Sequence, residues 1–155
     1  MNKKLYMISL GCSKNLVDSE VMLGLLEKDG YAVTQETEDA GLLLVNTCGF
    51  IGRAKEESVN TILEMARYKT EGACEKLAVA GGLTQRYADE VGAEIPEIDH
   101  LLGPSDMLKL GSILDRDAER MLVGNPAEST MRAEDPRILT QMGHSAYIKI
   151  AEGCN

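Results

Sequence analysis

The sequence predicts an α/β fold in which a parallel sheet is covered by helices on both faces. Short continuous apolar runs, of which Leu42 to Val45 is the clearest, are typical of strands buried on both sides. These runs alternate along the chain with stretches whose apolar residues recur at helical spacing. Apolar residues make up 44% of the 155 residues, which is enough to build a real core.

The first strand and helix are predicted from a change of period near residue 11. Leu5 to Leu10 is a short apolar run and predicts a buried strand. From about Asn15 the apolar residues follow a helical period, and Asp18 and Glu20 are expected to favour the first turn of this helix. Gly30 stands where a C′ glycine ends a helix.

The middle of the chain continues the alternation. Tyr31 to Thr34 predicts a second strand near an edge of the sheet, because acidic residues follow it at once. Leu42 to Val45 predicts the third strand. A long helix is expected next, with one apolar face formed by Ile51, Ala54, Val59, Ile62, Leu63 and Ala66.

The pattern then repeats with shorter elements. Leu77 to Ala80 predicts a strand that ends in two glycines, Gln85 to Val91 a short helix, and Leu101 with Leu102 a fifth strand. Ser105 and Asp106 are expected to cap a further helix.

Residues 116–143 lack steady periodicity and contain Pro126 and Pro136, which is typical of a linker. We therefore expect one domain at 3–115 and the start of another unit at 144–155, opening with a strand at Ala146 to Ile150.

Charge and hydropathy exclude several classes of protein. The net charge is −9, and so acidic a surface repels phosphate backbones, so we expect no direct nucleic-acid binding by this domain. No apolar run approaches the roughly 18 residues that a membrane span needs. The N-terminal apolar block is too short for a signal peptide. A soluble, cytoplasmic protein is expected.

Four cysteines are too sparse for a disulfide framework, and their positions on the predicted fold differ. Cys12 and Cys48 each follow a strand and precede a helix. In a flavodoxin-like strand order of 2-1-3 they would be neighbours at the edge where ligands bind, and a helix N-terminus favours a thiolate there. Cys74 precedes a strand and is expected at the opposite edge, whereas Cys154 belongs to the later unit. Packing as a small buried hydrophobe remains the alternative for each.

With these positions established, the sequence resembles the radical S-adenosylmethionine methylthiotransferases over essentially its whole length. Several separate motifs match in the right order, which makes the resemblance specific. The matching segments are Ser9 to Glu20, Asn46 to Ile51, Ala54 to Ser58, Gln85 to Tyr87 and Ala146 to Asn155.

The resemblance implies iron-sulfur chemistry. Members of this family have an N-terminal flavodoxin-like domain whose three cysteines hold an auxiliary 4Fe-4S cluster, followed by a radical barrel with a C-x-x-x-C-x-x-C cluster motif. By position, Cys12 and Cys48 match the first two auxiliary ligands, and Cys154 matches the first cysteine of the radical motif. The chain then corresponds to the auxiliary-cluster domain (3–115), a linker (116–143) and the first strand of the barrel (144–155). As a fragment, it is expected to be inactive alone.

One position departs from the family pattern. The third auxiliary ligand of the family follows the fourth predicted strand in a Gly-Cys-Leu segment, and here that segment is Gly81-Gly82-Leu83. Glycine has no side chain with which to ligate iron. Cys74 is separated from Gly82 by a whole strand, roughly 20 Å at about 3.3 Å per residue, so we predict that Cys74 does not substitute.

The segments around Cys12 and Cys48 resemble the branch of the family that modifies an aspartate of a small-subunit ribosomal protein more than the branch that modifies tRNA adenosines. The implied reaction uses S-adenosylmethionine: a radical removes hydrogen from the substrate β-carbon, and a methylthio group is delivered there. His100 and His144 are expected not to be ligands. A tRNA substrate, a flavin or nucleotide site at the same edge, and a non-catalytic docking domain remain alternatives.

Overall fold

A computed structural model describes residues 3–10, 13–48, 52–111, 114 and 120–122 of the chain. Its core is a six-stranded, all-parallel sheet in the order β2-β1-β3-β4-β5-β6. The strands are β1 (Lys4–Ser9), β2 (Ala32–Val33), β3 (Leu42–Thr47), β4 (Lys76–Gly81), β5 (His100–Leu102) and β6 (Met121–Leu122). The helices are α1 (Ser13–Lys28), α2 (Gly52–Ala66), α3 (Tyr68–Glu71) and α4 (Gly82–Glu94), with 3-10 turns at Thr37–Asp39 and Pro104–Lys109. The predicted α/β fold with a flavodoxin-like sheet is confirmed.

The strand order reverses between β1 and β3. The chain runs outward from β1 to β2, returns to β3 on the other side of β1, and then adds β4, β5 and β6 in sequence. Such a reversal places the crevice where doubly wound proteins bind ligands at the carboxyl ends of β1 and β3. In the register of the sheet, Ser9 pairs with Asn46 and Thr47 pairs with Gly81.

Both faces of the sheet are covered by helices. All six residues of β3 are buried, and its side chains alternate between two separate clusters. Leu42 and Leu44 pack on the side of α1 and the 3-10 turn at Pro104–Lys109. Leu43 and Val45 pack on the side of α2 and α4. Burial on both sides explains why this strand is a continuous apolar run in the sequence.

The first half of the chain follows the predicted pattern with two corrections. Gly30 has a φ of +95° and ends α1, as predicted, with Tyr31 N–H donating to the Leu26 carbonyl at 3.0 Å. Because α1 begins at Ser13, Asp18 and Glu20 lie beyond its first turn and are buried instead. Leu63, assigned to the apolar face of the second helix, is 48% exposed, because that face runs through Ile62 and Met65.

The second half departs further from the prediction. The helix predicted at Gln85 to Val91 begins three residues earlier, directly after β4, and extends to Glu94. Gly103 rather than Ser105 or Asp106 precedes the next helical turn, which starts with a proline at its first position and has no side-chain cap.

A short strand, β6, lies in the segment that the sequence assigns to the linker, and it pairs with β5. The strand predicted at 146–150, and with it the whole unit 144–155, lies outside the described residues. Among the helices that the structure describes, none combines the length and the apolar character needed to cross a membrane.

Candidate functional site

The carboxyl ends of β1, β3 and β4 lie side by side, and the residues there are polar or small. Cys48 directly follows the last residue of β3, and Gly82 directly follows the last residue of β4. Thr47 and Gly81 are paired in register, and neighbouring strands lie about 4.8 Å apart. The structure therefore brings position 48 and position 82 together at one edge of the sheet.

Cys48 is held through its backbone by a buried serine. Ser58, on the inner face of α2, is completely buried, and its Oγ donates a hydrogen bond to the Cys48 carbonyl at 3.0 Å. The same Oγ accepts a hydrogen bond from the Cys48 N–H at 3.3 Å. Both polar groups of the Cys48 backbone are thus tied to one side chain, while the residue itself stays partly exposed.

A second set of hydrogen bonds joins the ends of β1 and β3. Asn46 is fully buried, and its Nδ2 donates to the Ser19 Oγ at 2.9 Å. Ser19 in turn donates to the Ser9 Oγ at 2.8 Å, and the Leu10 N–H donates to the Asn46 carbonyl at 2.9 Å. Buried side-chain networks of this kind fix one arrangement of the strand ends.

Thr47 joins β3 to the start of α4. Its buried Oγ1 donates to the Ala80 carbonyl at 2.7 Å and accepts from the Leu83 N–H at 3.3 Å. These contacts lie on both sides of the Gly81-Gly82 pair. One threonine hydroxyl therefore fixes the turn from β4 into α4 relative to the strand end that carries Cys48.

The two glycines of this turn have different roles. Gly81 has φ +101° and ψ −160°, a conformation open essentially to glycine alone. A Cβ added there would lie 2.4 Å from the Thr47 carbonyl oxygen, so the close approach of β3 also requires glycine. Gly82 instead opens α4, in which Tyr87 is the only residue with non-helical dihedral angles. Gly82 has no positive φ, so its backbone conformation does not require glycine.

Two further motif segments meet beside this edge. The Lys55 Nζ, from the segment Ala54 to Ser58, lies 3.8 Å from the centroid of the Tyr87 ring, from the segment Gln85 to Tyr87. The same ammonium group lies 4.0 Å from a carboxylate oxygen of Glu90. The contact packs α2 against α4, the helices that follow β3 and β4 in the chain.

Cys74 lies at the opposite edge of the sheet, as predicted. It precedes β4, it is buried, and its Sγ donates to the Lys76 carbonyl at 3.2 Å. Burial raises the pKa of the Cys74 thiol, an effect that the nearby ammonium of Lys69 partly offsets. A buried neutral thiol one strand length away from Cys48 is a packing residue in this fold.

Cys12 and Cys154 lie outside the described residues, so their assignment stays a prediction. The backbone of Gly11 and the side chains of residues 13–15 lie outside them as well, which leaves the alternative of a phosphate-binding first loop untested. His100 is buried in β5, and no group of three His, Cys, Asp or Glu side chains with the geometry to hold a metal occurs in the described part of the chain.

The residues present do not fit a cluster held by three thiolates. Of the positions that the resemblance assigns to the auxiliary cluster, position 82 has no side chain, and Cys48 is the only one with a described thiol. Cluster iron normally takes cysteine thiolates as its protein ligands. The two assigned cysteines, Cys12 and Cys48, could ligate two of the four irons of such a cluster. The other two irons would have no protein ligand among the assigned residues.

Sequence reasoning missed Ser58, Ser19 and Ser9 as parts of this edge. For Ser58 a signal was present, because it lies four residues after Ala54 and four before Ile62, in line with the inner face of the helix. A serine on a buried helix face must find a hydrogen-bond partner. The identity of that partner depends on the packing of α2 against β3.

Comparison with known proteins identifies the family. A sequence profile of the family described as Uncharacterized protein family UPF0004 matches residues 4–103. The chain is 57% identical over 154 residues to a protein of Sorangium cellulosum named ribosomal protein uS12 methylthiotransferase RimO, covering 99% of this chain and 32% of that protein. Proteins of the same name from Myxococcus xanthus and Heliobacterium modesticaldum are 50% and 51% identical over 99% and 100% of this chain, and 32% and 34% of their own lengths.

The chain spans about a third of the length of these relatives. The family profile covers well over half of the chain and reaches from β1 to the end of β5. This chain therefore belongs to the UPF0004 family, the N-terminal domain of the methylthiotransferases, and the resemblance drawn from its motifs is confirmed.

Proposed function

We propose that this chain is the N-terminal part of a methylthiotransferase that adds a methylthio group to ribosomal protein uS12 in the cytoplasm. The observation that carries the proposal is the identity of 57% to a protein of that name over 99% of the chain. Under this proposal, the modified residue of uS12 is an aspartate, and S-adenosylmethionine is the co-substrate of the complete enzyme.

The proposal assigns roles to three cysteines. Cys12 and Cys48 are auxiliary-cluster ligands at the edge that faces the remainder of the enzyme, and Cys154 is the first ligand of the radical 4Fe-4S cluster. The buried hydrogen bonds of Ser58 support the role of Cys48, since they hold its backbone while the residue remains partly exposed. Position 82 supplies no thiolate to this cluster.

The charge of the chain agrees with a basic protein substrate. A net charge of −9 repels a polyanionic tRNA and attracts a basic ribosomal protein at long range. The exposed side of α2 contributes to this field with Glu56, Glu57 and Glu64. Charge of this kind affects the rate of encounter and the choice of partner more than the affinity of the complex.

A chimeric enzyme tests the proposal. The corresponding third of the Sorangium cellulosum relative would be replaced by residues 1–155, both with Gly82 and with Gly82→Cys, and the parent enzyme would be the positive control. With Gly82→Cys we expect uS12 to gain the mass of one methylthio group in place of hydrogen, measured by peptide mass spectrometry. A Cys48→Ala version should lose this product.

Digested tRNA from the same cells would be analysed in parallel. Methylthioadenosine without modified uS12 would overturn the assignment in favour of a tRNA substrate. A folded Gly82→Cys chimera that modifies neither substrate would contradict the proposal altogether.

The glycine at position 82 favours a second candidate, a docking domain that binds uS12 without chemistry. In that case the unmodified chain should bind purified uS12, and binding should weaken as salt is raised because the attraction between the charges is screened. A Gly82-containing chimera that modifies uS12 as well as the parent enzyme would exclude this candidate.

A further inference from the structure

We infer that position 82 is a ligand position of the auxiliary cluster that this chain leaves without a thiolate, and that the backbone there can carry a cysteine. The inference rests on the proposed function, since the third ligand position comes from the methylthiotransferase pattern. It is tested by iron binding alone, so its failure and that of the proposed substrate are distinguishable.

The first support is the difference between the two adjacent glycines. Gly81 is required by its positive φ and by the 2.4 Å approach of an added Cβ to the Thr47 carbonyl. Gly82 has helical backbone angles, which every L-residue adopts readily. The backbone conformation at position 82 therefore does not exclude a cysteine.

The second support is that the hydrogen bonds around position 82 are in place. Thr47 binds the Ala80 carbonyl and the Leu83 N–H, which fixes the residues on either side of the glycine pair. Ser58 fixes the backbone of Cys48 on the neighbouring strand. The distance between positions 48 and 82 is thus set by buried contacts that do not involve the missing side chain.

Anaerobic reconstitution of the 155-residue chain with iron and sulfide tests the inference. The reductant must contain no thiol, because an added thiol could ligate the iron in place of a residue at position 82. Iron content, sulfide content and the visible absorption of the cluster are measured after desalting for the unaltered chain, Gly82→Cys and Gly82→Ala. Gly82→Cys is expected to retain about four irons per chain, several-fold more than the other two.

Further variants keep the result interpretable. Gly82→Ala controls for the altered backbone, and circular dichroism verifies that each variant is folded. Cys48→Ala in the Gly82→Cys background should remove the gained iron. Gly81→Cys should bring no gain, since this position does not tolerate a side chain.

Two results would overturn the inference. If the unaltered chain retains as much cluster as Gly82→Cys, no ligand is missing. If a folded Gly82→Cys retains no more iron than Gly82→Ala, position 82 is not a ligand position in this fold.

Discussion

Ser58 is the buried polar residue most directly tied to Cys48. Its single hydroxyl donates to the carbonyl and accepts from the N–H of that cysteine, and it is completely buried between α2 and β3. An alanine would leave both backbone groups of Cys48 without this partner. This loss would destabilise the fold, and it would also free the backbone of Cys48, the residue that the proposed function uses.

We predict that Ser58→Ala lowers the free energy of unfolding by about 1–2 kcal/mol, because two partly buried hydrogen bonds are lost. Asn60→Ala, on the exposed side of the same helix, is the matched control for the gain in helix propensity and should change stability by less than about 0.5 kcal/mol. Urea unfolding measures both.

Peptide-resolved alkylation of Cys48 provides a second readout for the same variants. Ser58→Ala should change the rate at which Cys48 reacts, and Ser58→Thr, which keeps the hydroxyl, should restore it. An unchanged Cys48 rate in Ser58→Ala would show that the serine serves stability alone.

The two described cysteines should differ in reactivity. Burial raises the pKa of the Cys74 thiol, so it stays protonated and shielded near neutral pH, whereas Cys48 is partly exposed. We predict that iodoacetamide labels Cys48 faster than Cys74 at pH 7.5, as measured by peptide mass spectrometry. Equal rates in the folded protein would contradict the burial of Cys74.

The same raised pKa has a consequence for stability. Because the native thiol binds its proton more tightly than the unfolded one, stability falls as pH rises above the pKa of the unfolded thiol. In Cys74→Ala, the drop in the free energy of unfolding between neutral and alkaline pH should be smaller than in the unaltered chain. Each protein is compared with its own value at neutral pH. Identical pH profiles for the two proteins would count against the shift.

Among the described strands, β6 is the one that sequence patterns did not predict. A strand of two residues is too short to produce a periodic signal. Arg120, immediately before β6, contacts the C-terminal end of α4. The Arg120 guanidinium donates to the carbonyls of Gly92 at 2.8 Å and Ile95 at 3.2 Å, and to Ile98 at 2.9 Å. A cation at a helix C-terminus is favoured by both hydrogen bonding and the helix dipole.

We predict that Arg120→Ala lowers the free energy of unfolding by about 2–3 kcal/mol, because charged hydrogen bonds to three carbonyls are lost. Arg53→Ala, on the exposed side of α2, is the matched control and should have an effect within about 0.5 kcal/mol. A chain ended after Asp115 should lose at least as much as Arg120→Ala, since it also lacks β6. Equal urea midpoints for the Arg120 and Arg53 variants would show that this contact contributes nothing.

The longer elements were predictable because their signals are local. A continuous apolar run marks β3, since it is buried on both faces, and Gly30 marks the end of α1 through its own dihedral angle. The start of α4 was placed too late, because two consecutive glycines are poor helix formers in any local scale. The Thr47 hydroxyl, 36 positions away in sequence, binds the Leu83 N–H in the first turn of this helix.

For the whole molecule, charge and topology act on different aspects of function. The net charge of −9 favours approach to a basic partner, but it says nothing about where on the surface that partner binds. The reversal of strand order at β1 and β3 selects one edge of the sheet as the location of a site. The same edge carries Cys48, Gly82 and the Thr47 hydroxyl, which binds the residues on either side of the glycine pair.

The sequence by itself determined the α/β class, the order of most elements, the family and the absence of a thiol at position 82. All of these follow from residue identity, spacing and local periodicity. Only the tertiary structure decided that the backbone of Gly81 requires glycine and that of Gly82 does not, that Ser58 holds Cys48, and that Arg120 belongs to the folded unit. These features depend on hydrogen bonds and close approaches between segments distant in sequence, and strand register and helix packing bring such segments together.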